Sequence, residues 1–178
     1  MKATGIIRRI DDLGRVVIPK EIRRTLRIKE GEPLEIFTDD NGSVIFKKYS
    51  LIDRMKDIAE QLCDATMSSF GMPIAITDCD SIVAASGPDR HKLKERRLSK
   101  DVEHQLSLRQ AWGHSPGCEE VYIDLDEQYR LFGIVPIIIE CEVAGAVISL
   151  KEAGSEEEYD EQYKALKQVA TFLEKYMA

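Results

Sequence analysis

The chain has 178 residues, with 32 Asp+Glu against 25 Lys+Arg and 43% hydrophobic residues. That length suits one ordinary domain or two small ones, and the apolar content argues against a disordered chain. No apolar run approaches the roughly 20 residues that span a bilayer, no signal-peptide core is visible, and Cys63, Cys79, Cys118 and Cys141 form no Cys-x-x-Cys pair, so the sequence predicts a cytoplasmic protein without a disulfide framework or zinc ribbon.

Residues 4–10 are rich in β-formers, Asp11-Asp12-Leu13-Gly14 reads as a turn in which Gly14 takes positive φ, and residues 15–18 read as a second strand. Pro19 suits the first position of a helix, where its missing N–H costs nothing. That helix runs through residues 21–26, with Ile22 and Leu26 one turn apart and facing inward, which leaves Arg23 and Arg24 to point elsewhere. Gly31 and Pro33 then break the chain. Residues 34–38 and 43–47 flank Asp39-Asp40-Asn41-Gly42, and Asn-Gly between β-rich runs is a strong hairpin signal. A head of about 50 residues without a disulfide or metal buries little surface, so it is expected to pair with a second copy.

Tyr49-Ser50-Leu51 is a short junction. Over residues 52–70, Ile52, Met55, Ala59, Leu62, Thr66 and Phe70 recur at helical spacing, and Gly71 stops the helix. Residues 73–77 and 82–86 read as strands around Asp78-Cys79-Asp80-Ser81. The stretch 87–118 is polar and mixed, with a helix near 101–109. Strands are expected over 120–125, 129–139 and 143–150, the last two joined by a hairpin at Glu140-Cys141-Glu142. Ser155-Glu156-Glu157-Glu158 is a capping-box signature with acid at the positive end of a helix. It opens a terminal helix whose apolar face is Tyr159, Tyr163, Leu166, Ala170, Leu173 and Met177. The body, residues 54–178, is thus expected to be α+β: an antiparallel sheet with helices at both ends.

Charge separates these regions. Residues 1–50 hold 11 basic and 8 acidic side chains, a net of +3, whereas residues 51–178 hold 14 and 24, a net of −10. A basic head on an acidic body points to a polyanion-binding head.

The string Asp12-Leu13-Gly14-Arg15-Val16-Val17-Ile18-Pro19, followed by Glu21 and Arg23-Arg24-Thr25-Leu26, carries more than composition. With Gly5-Ile6-Ile7-Arg8-Arg9 before it and Leu34-Glu35-Ile36-Phe37 after it, the head (residues 1–50) resembles the AbrB-type transition-state regulators. The resemblance implies a dimeric DNA-binding domain, a swapped-hairpin β-barrel in which two chains interlace their strands. Such a head joined to this α+β body resembles the stage V sporulation protein T family, whose C-terminal part is a GAF domain. Val135-Pro136-Ile137 and Gly145-Ala146-Val147-Ile148 fit that fold.

The resemblance carries DNA contact onto Arg8, Arg9, Arg15, Arg23 and Arg24. Guanidinium groups fork onto phosphates and guanine edges, and a dimer presents ten of them to double-stranded DNA. The ordinary alternative for each is an ion pair with Asp11, Asp12 or Glu21. Lys2 and Lys20 read as solvated, and Gly14 and Pro19 as structural. The implied function is a sequence-selective transcription regulator of spore development, acting as activator and repressor. The body is expected either to sense a small effector or to serve as a scaffold for assembly. The helices over 52–70 and 155–177, together with the family resemblance, point to bundles that join dimers into a homotetramer.

Other chemistries find little support. His91, His104 and His114 lack metal-ligand spacing with the cysteines, no nucleophilic triad is visible, and no Gly-rich phosphate loop is present. No cofactor or metal, and no catalytic activity, is expected. Two rivals stand beside the regulator: a redox- or ligand-sensing, enzyme-like GAF protein built on the cysteines, and an antitoxin with the same head fold. Antitoxins of that kind follow the head with a short, extended acidic tail, against which the long body counts.

Overall fold

A computed structural model describes residues 4–114 and 119–177, so Lys2 and Cys118 lie outside the described residues. The chain is mixed α+β and separates between Tyr49 and Ser50 into two units.

In the N-terminal unit, Pro19 caps helix α1, Lys20–Thr25, with φ −58° and ψ 149°; it stands just before the first turn rather than within it. The helix ends where the N–H of Ile28 donates to Arg23 O at 2.8 Å and that of Arg27 to Arg24 O at 3.3 Å, with Arg27 at φ +53°. This double closure uses the last free carbonyls, so the helix stops well before Gly31. Strands β1, Leu34–Thr38, and β2, Val44–Lys48, form the expected hairpin, in register from Leu34↔Lys48 to Thr38↔Val44. At its turn the Asp39 carboxylate accepts from the N–H groups of Asn41 and Ser43, and the Ser43 contact above all holds its pKa below the usual value.

The strands expected at 4–10 and 15–18 form no ladder within the chain. Strand structure needs a neighbour, and among the described residues of this unit only β1 and β2 find one. Ile7, Ile10, Leu13 and Val17 are consequently left in solvent, and Leu26, expected to face inward, is 51% exposed; Ile22 is half-buried. Among the described residues of this unit, only Pro19 is buried.

The C-terminal unit is built on a five-stranded antiparallel sheet of order β4-β3-β7-β6-β5. Its strands are β3, Ile74–Thr77; β4, Ile82–Ala85; β5, Trp112–Gly113; β6, Gly133–Ile139; and β7, Glu142–Ser149. Its helices are α2, Lys56–Phe70, entered through a 3-10 turn at Asp53–Met55; α3, Arg90–Leu93; α4, Lys100–Ser107; and α5, Glu156–Met177. Alternation along the strands feeds two cores. Ile74, Ile76, Val135, Ile137 and Val147 meet Ala59 and Cys63 of α2 and Leu166, Val169, Ala170 and Leu173 of α5. On the other face Ala75, Ile134, Ala146 and Ile148 meet Leu93 of α3, Val102 and Leu106 of α4, and Ile123 and Leu131. Cover on both faces explains why β3 and β4 read as apolar runs rather than alternating ones. Where β7 crosses β3, a Cβ on Gly145 would sit 1.9 Å from the Thr77 carbonyl oxygen, so only glycine fits.

Several expectations are corrected in this unit. Residues 120–125 form no strand but two isolated bridges, Leu98↔Asp124 and Tyr122↔Arg130. Asp124 accepts from the N–H groups of Gln128 and Tyr129, which folds the segment into a turn before a ladder can extend. The strand expected from 129 therefore begins at Gly133. The β6–β7 turn is only Glu140-Cys141, both at positive φ, with Glu142 already in β7. The capping box at α5 is offset: Ser155 Oγ accepts from Glu158 N at 3.2 Å, while the Glu158 carboxylate accepts from Gly154 N at 2.7 Å. The buried stripe of α5 runs through Gln162, Ala165, Leu166, Val169, Ala170 and Leu173; Tyr159 and Tyr163 are exposed.

Candidate nucleic-acid interface

The turn after residue 10 is organised by one carboxylate. Asp11 Oδ1 accepts from Leu13 N at 3.0 Å and Arg15 N at 2.8 Å, while Oδ2 accepts from Arg15 Nε at 2.8 Å. The Arg15 backbone N–H, then its guanidinium, lower the Asp11 pKa. Gly14 closes the turn by donating to Asp11 O at 2.9 Å, and its φ of +75° is the conformation glycine adopts without cost. Arg15 therefore takes the intramolecular partner that the sequence offered as its alternative, through an exposed pair worth little in stability. The pair fixes the direction of the side chain, and only Nε is engaged with Asp11.

Arg8 and Arg9 are exposed on the segment before this turn, Arg24 is exposed on α1, and Arg23 is half-buried beside it. None of these four makes an ion pair among the described residues. Arg23 and Arg24 occupy the last turn of α1, at its negative end, where cations are favoured. The local contacts bring Arg15 to Asp11 and hold Arg23 and Arg24 on one helix. No side-chain hydrogen bond or ion pair links Arg8 or Arg9 to that helix among the described residues. The sequence marks Asp11 as a turn residue and as a competitor for arginines; its spacing of four from Arg15 is the signal that it orients one. Lys47 was not singled out, yet its exposed ammonium lies 4.9 Å from the Phe37 ring centroid on the hairpin, adding a cation to this unit.

The body offers different chemistry. Cys63 is buried on the sheet-facing side of α2, and burial pushes its thiol up to about 12, so it holds no thiolate near neutral pH. Cys141 is exposed in the β6–β7 turn, with its carbonyl accepting from Arg109. Among the described residues no three His, Cys, Asp or Glu side chains gather to hold a metal ion. No helix among them is long and apolar enough to cross a membrane.

Comparison with known proteins covers the whole chain. The family described as "Stage V sporulation protein T C-terminal, transcription factor" matches residues 54–178. The family described as "Antidote-toxin recognition MazE, bacterial antitoxin" matches residues 7–51. Stage V sporulation protein T of Bacillus subtilis is 41% identical over 178 residues, covering 99% of both chains. The transition state regulatory protein AbrB of the same organism is 61% identical over 49 residues, 28% of this chain and 50% of that one. The solved N-terminal DNA recognition domain of B. subtilis AbrB is 59% identical, covers 29% of this chain and 94% of its own, and superposes with a TM-score of 0.26. With a family match over its entire body and a full-length relative at this identity, the chain belongs to the stage V sporulation protein T family of transcription factors, regulators of sporulation.

Proposed function

We propose that the chain regulates sporulation-stage transcription by binding double-stranded DNA through its N-terminal unit (residues 1–50), as activator at some promoters and repressor at others. The observation that carries this reading is a set of arginines without carboxylate partners among the described residues, Arg8, Arg9, Arg23 and Arg24, joined by the oriented Arg15, in a unit whose net charge is opposite to that of the body. In the 61% identical regulator AbrB the corresponding domain is named for DNA recognition, which supports the same role here.

The binding form is a dimer. A unit that, among the described residues, buries only Pro19 and exposes Ile7, Ile10 and Val17 has its core still to make. Residues 4–10 and 15–18, unpaired within one chain, supply strands for a second copy, which is the swapped-hairpin barrel. The C-terminal unit (residues 54–178), an antiparallel sheet with α2 and α5 on one face, acts as a GAF-like module for effector sensing or assembly. Exposed Phe172 and Tyr176, stacked at 5.9 Å on α5, favour assembly into a tetramer. The antitoxin reading invited by the match over 7–51 is disfavoured by a body with two buried cores in place of a short extended tail.

The test is selection of bound DNA from a random pool by the full chain at stated salt. Enrichment of a defined sequence by the native chain, lost in an Arg23→Ala/Arg24→Ala variant, is expected; equal, unselective recovery by both overturns the reading.

A further inference from the structure

The segment after β4 carries charge in an unusual arrangement. Arg90, Lys94 and Glu95 turn toward α2, and each meets an opposite charge there. Lys94 Nζ lies 2.7 Å from Glu60, Arg90 3.8 Å from Asp64, and Lys56 3.8 Å from Glu95. The partners on α2 stand at spacings of four, so they share one face of the helix. The two runs are antiparallel: 56, 60 and 64 answer 95, 94 and 90. The Lys94 hydrogen bond lowers the Glu60 pKa and is the shortest of the three contacts.

The next residue points the other way. Arg96 donates through Nη1 to Asp124 and, at 3.3 Å, to Asp126, and through Nη2 to Gln128 at 2.9 Å; its guanidinium stacks 5.2 Å from the Tyr129 ring centroid. Asp124 is almost fully buried and also fixes the turn through Gln128 N and Tyr129 N, so Arg96 supplies the counter-charge for the group that folds the 119–131 connection. That connection covers the sheet face opposite α2, where Ile123 and Leu131 enter the second core.

Between these two sets of contacts the backbone is pinned to the sheet edge. Glu95 N donates to Ile82 O and Ile82 N to Arg96 O, both at 2.9 Å, and Leu98 N donates to Asp80 O at 2.8 Å. Buried Leu93 and Leu98 anchor the segment at either end.

We propose that residues 90–98 form a strap around the β4 edge that couples the 119–131 connection on one face of the body to α2 on the other, so that the two open and close as one unit. One short rigid segment holds charges for both sides. Displacing it toward one partner withdraws it from the other, and this shared element is the physical basis of coupling between sites. Because α2 follows the N-terminal unit directly in the chain, whatever opens the connection is registered in the helix nearest that unit in sequence. The coupling does not depend on DNA binding, and its test needs no DNA.

The measurement is hydrogen exchange on the full chain, read by peptide. Lys94→Glu breaks the α2 side at a half-exposed position and is expected to speed exchange of residues 119–131 by at least several-fold, although it touches none of them. Glu60→Lys with Lys94→Glu restores the pair with reversed charge and should return that connection to the native rate. From the other side, Arg96→Gln should speed exchange in residues 56–66 as well as in 119–131. In both single variants β6 and α5 serve as internal references and should keep their protection. If Arg96→Gln loosens the whole body, the Lys94→Glu variant and its charge swap still decide. Fast exchange confined to α2 in Lys94→Glu, or an unrestored connection in the swap, overturns the coupling.

Discussion

In the C-terminal unit Ile137, Ile148 and Leu173 are fully buried, while in the N-terminal unit Ile7, Ile10 and Val17 are 91%, 70% and 69% exposed. Both stretches are rich in the same residue types. The difference lies in what each can fold against. Among the described residues the body has five strands, two long helices and enough chain to cover its sheet on both faces. Among those of the head there are one hairpin and one six-residue helix, and its other apolar segments meet no strand partner. At about 25 cal/mol per Å² of apolar surface buried, a closed core stabilises the body by itself. If the head closes its core against a second copy, as proposed, its stability is tied to protein concentration. The same division separates charge: the net of the body is −10 and that of the head +3, so the field of the body opposes a polyanion and that of the head favours one.

The largest effects are expected from substitution in the core of the body. Leu173→Ala, inside the α2/α5 core, should cost about 2–5 kcal/mol, and Leu173→Glu should abolish the body's cooperative urea transition. Ile7→Ser, at a site exposed within the chain, should leave that transition's midpoint unchanged. The next effect concerns assembly. Sedimentation equilibrium should give about 80 kDa for four chains of 20.2 kDa. Phe172→Glu with Tyr176→Glu should lower this toward a dimer without unfolding the body, because both rings are exposed on α5; an unchanged mass would remove these rings from the interface. A smaller effect is expected at Gly14, where alanine at φ +75° should cost about 1 kcal/mol and weaken DNA binding while the body's transition stays fixed.

The chemical contrast is sharpened by thiol labelling of the native chain: Cys141 should react rapidly and Cys63 only on unfolding, as mass spectrometry of the peptides would show. The smallest effect is titration of the turn. The Asp11 pKa lies below its ordinary value of 3.8 when folded, so its contribution is fully present above that value and fades as pH falls through the folded pKa. Carboxyl NMR should place its midpoint below the usual range, and Arg15→Ala should move it only part of the way back, because the backbone N–H of residue 15, the larger cause, is retained.

The hairpin, α2, α5 and the central strands of the body were legible because their signals are local: Asn41-Gly42 for a turn, Gly71 for a helix end, alternation and spacing for buried faces. The errors fall where distant groups decide. Residues 120–125 have β composition, but the Asp124 side chain, held by Arg96 from 28 positions away, turns the chain instead. Tyr159 and Tyr163 keep helical phase with Leu166, yet both stay exposed and the buried stripe of α5 is carried by Gln162, Ala165, Leu166, Val169, Ala170 and Leu173, with the Tyr159 ring lying against Gly113 at the sheet edge. For the candidate site, the identity of the arginines was readable and their surroundings were not. That Arg15 is tethered to Asp11 while Arg8, Arg9, Arg23 and Arg24 have no such partner among the described residues depends on how a turn and a short helix close, which composition does not encode.

The proposed function requires that the arginines of the N-terminal unit form a phosphate-binding surface, doubled by dimerisation. It is tested most directly by the salt dependence of DNA affinity for the full chain on a selected site. If the dimer neutralises about 4–8 phosphates, the slope of log K against log salt should be near −4 to −7, and Arg23→Ala should flatten it by about two units, one contact from each subunit. A slope near zero, or one that Arg23→Ala, Arg24→Ala and Arg8→Ala all leave unchanged, would contradict the account.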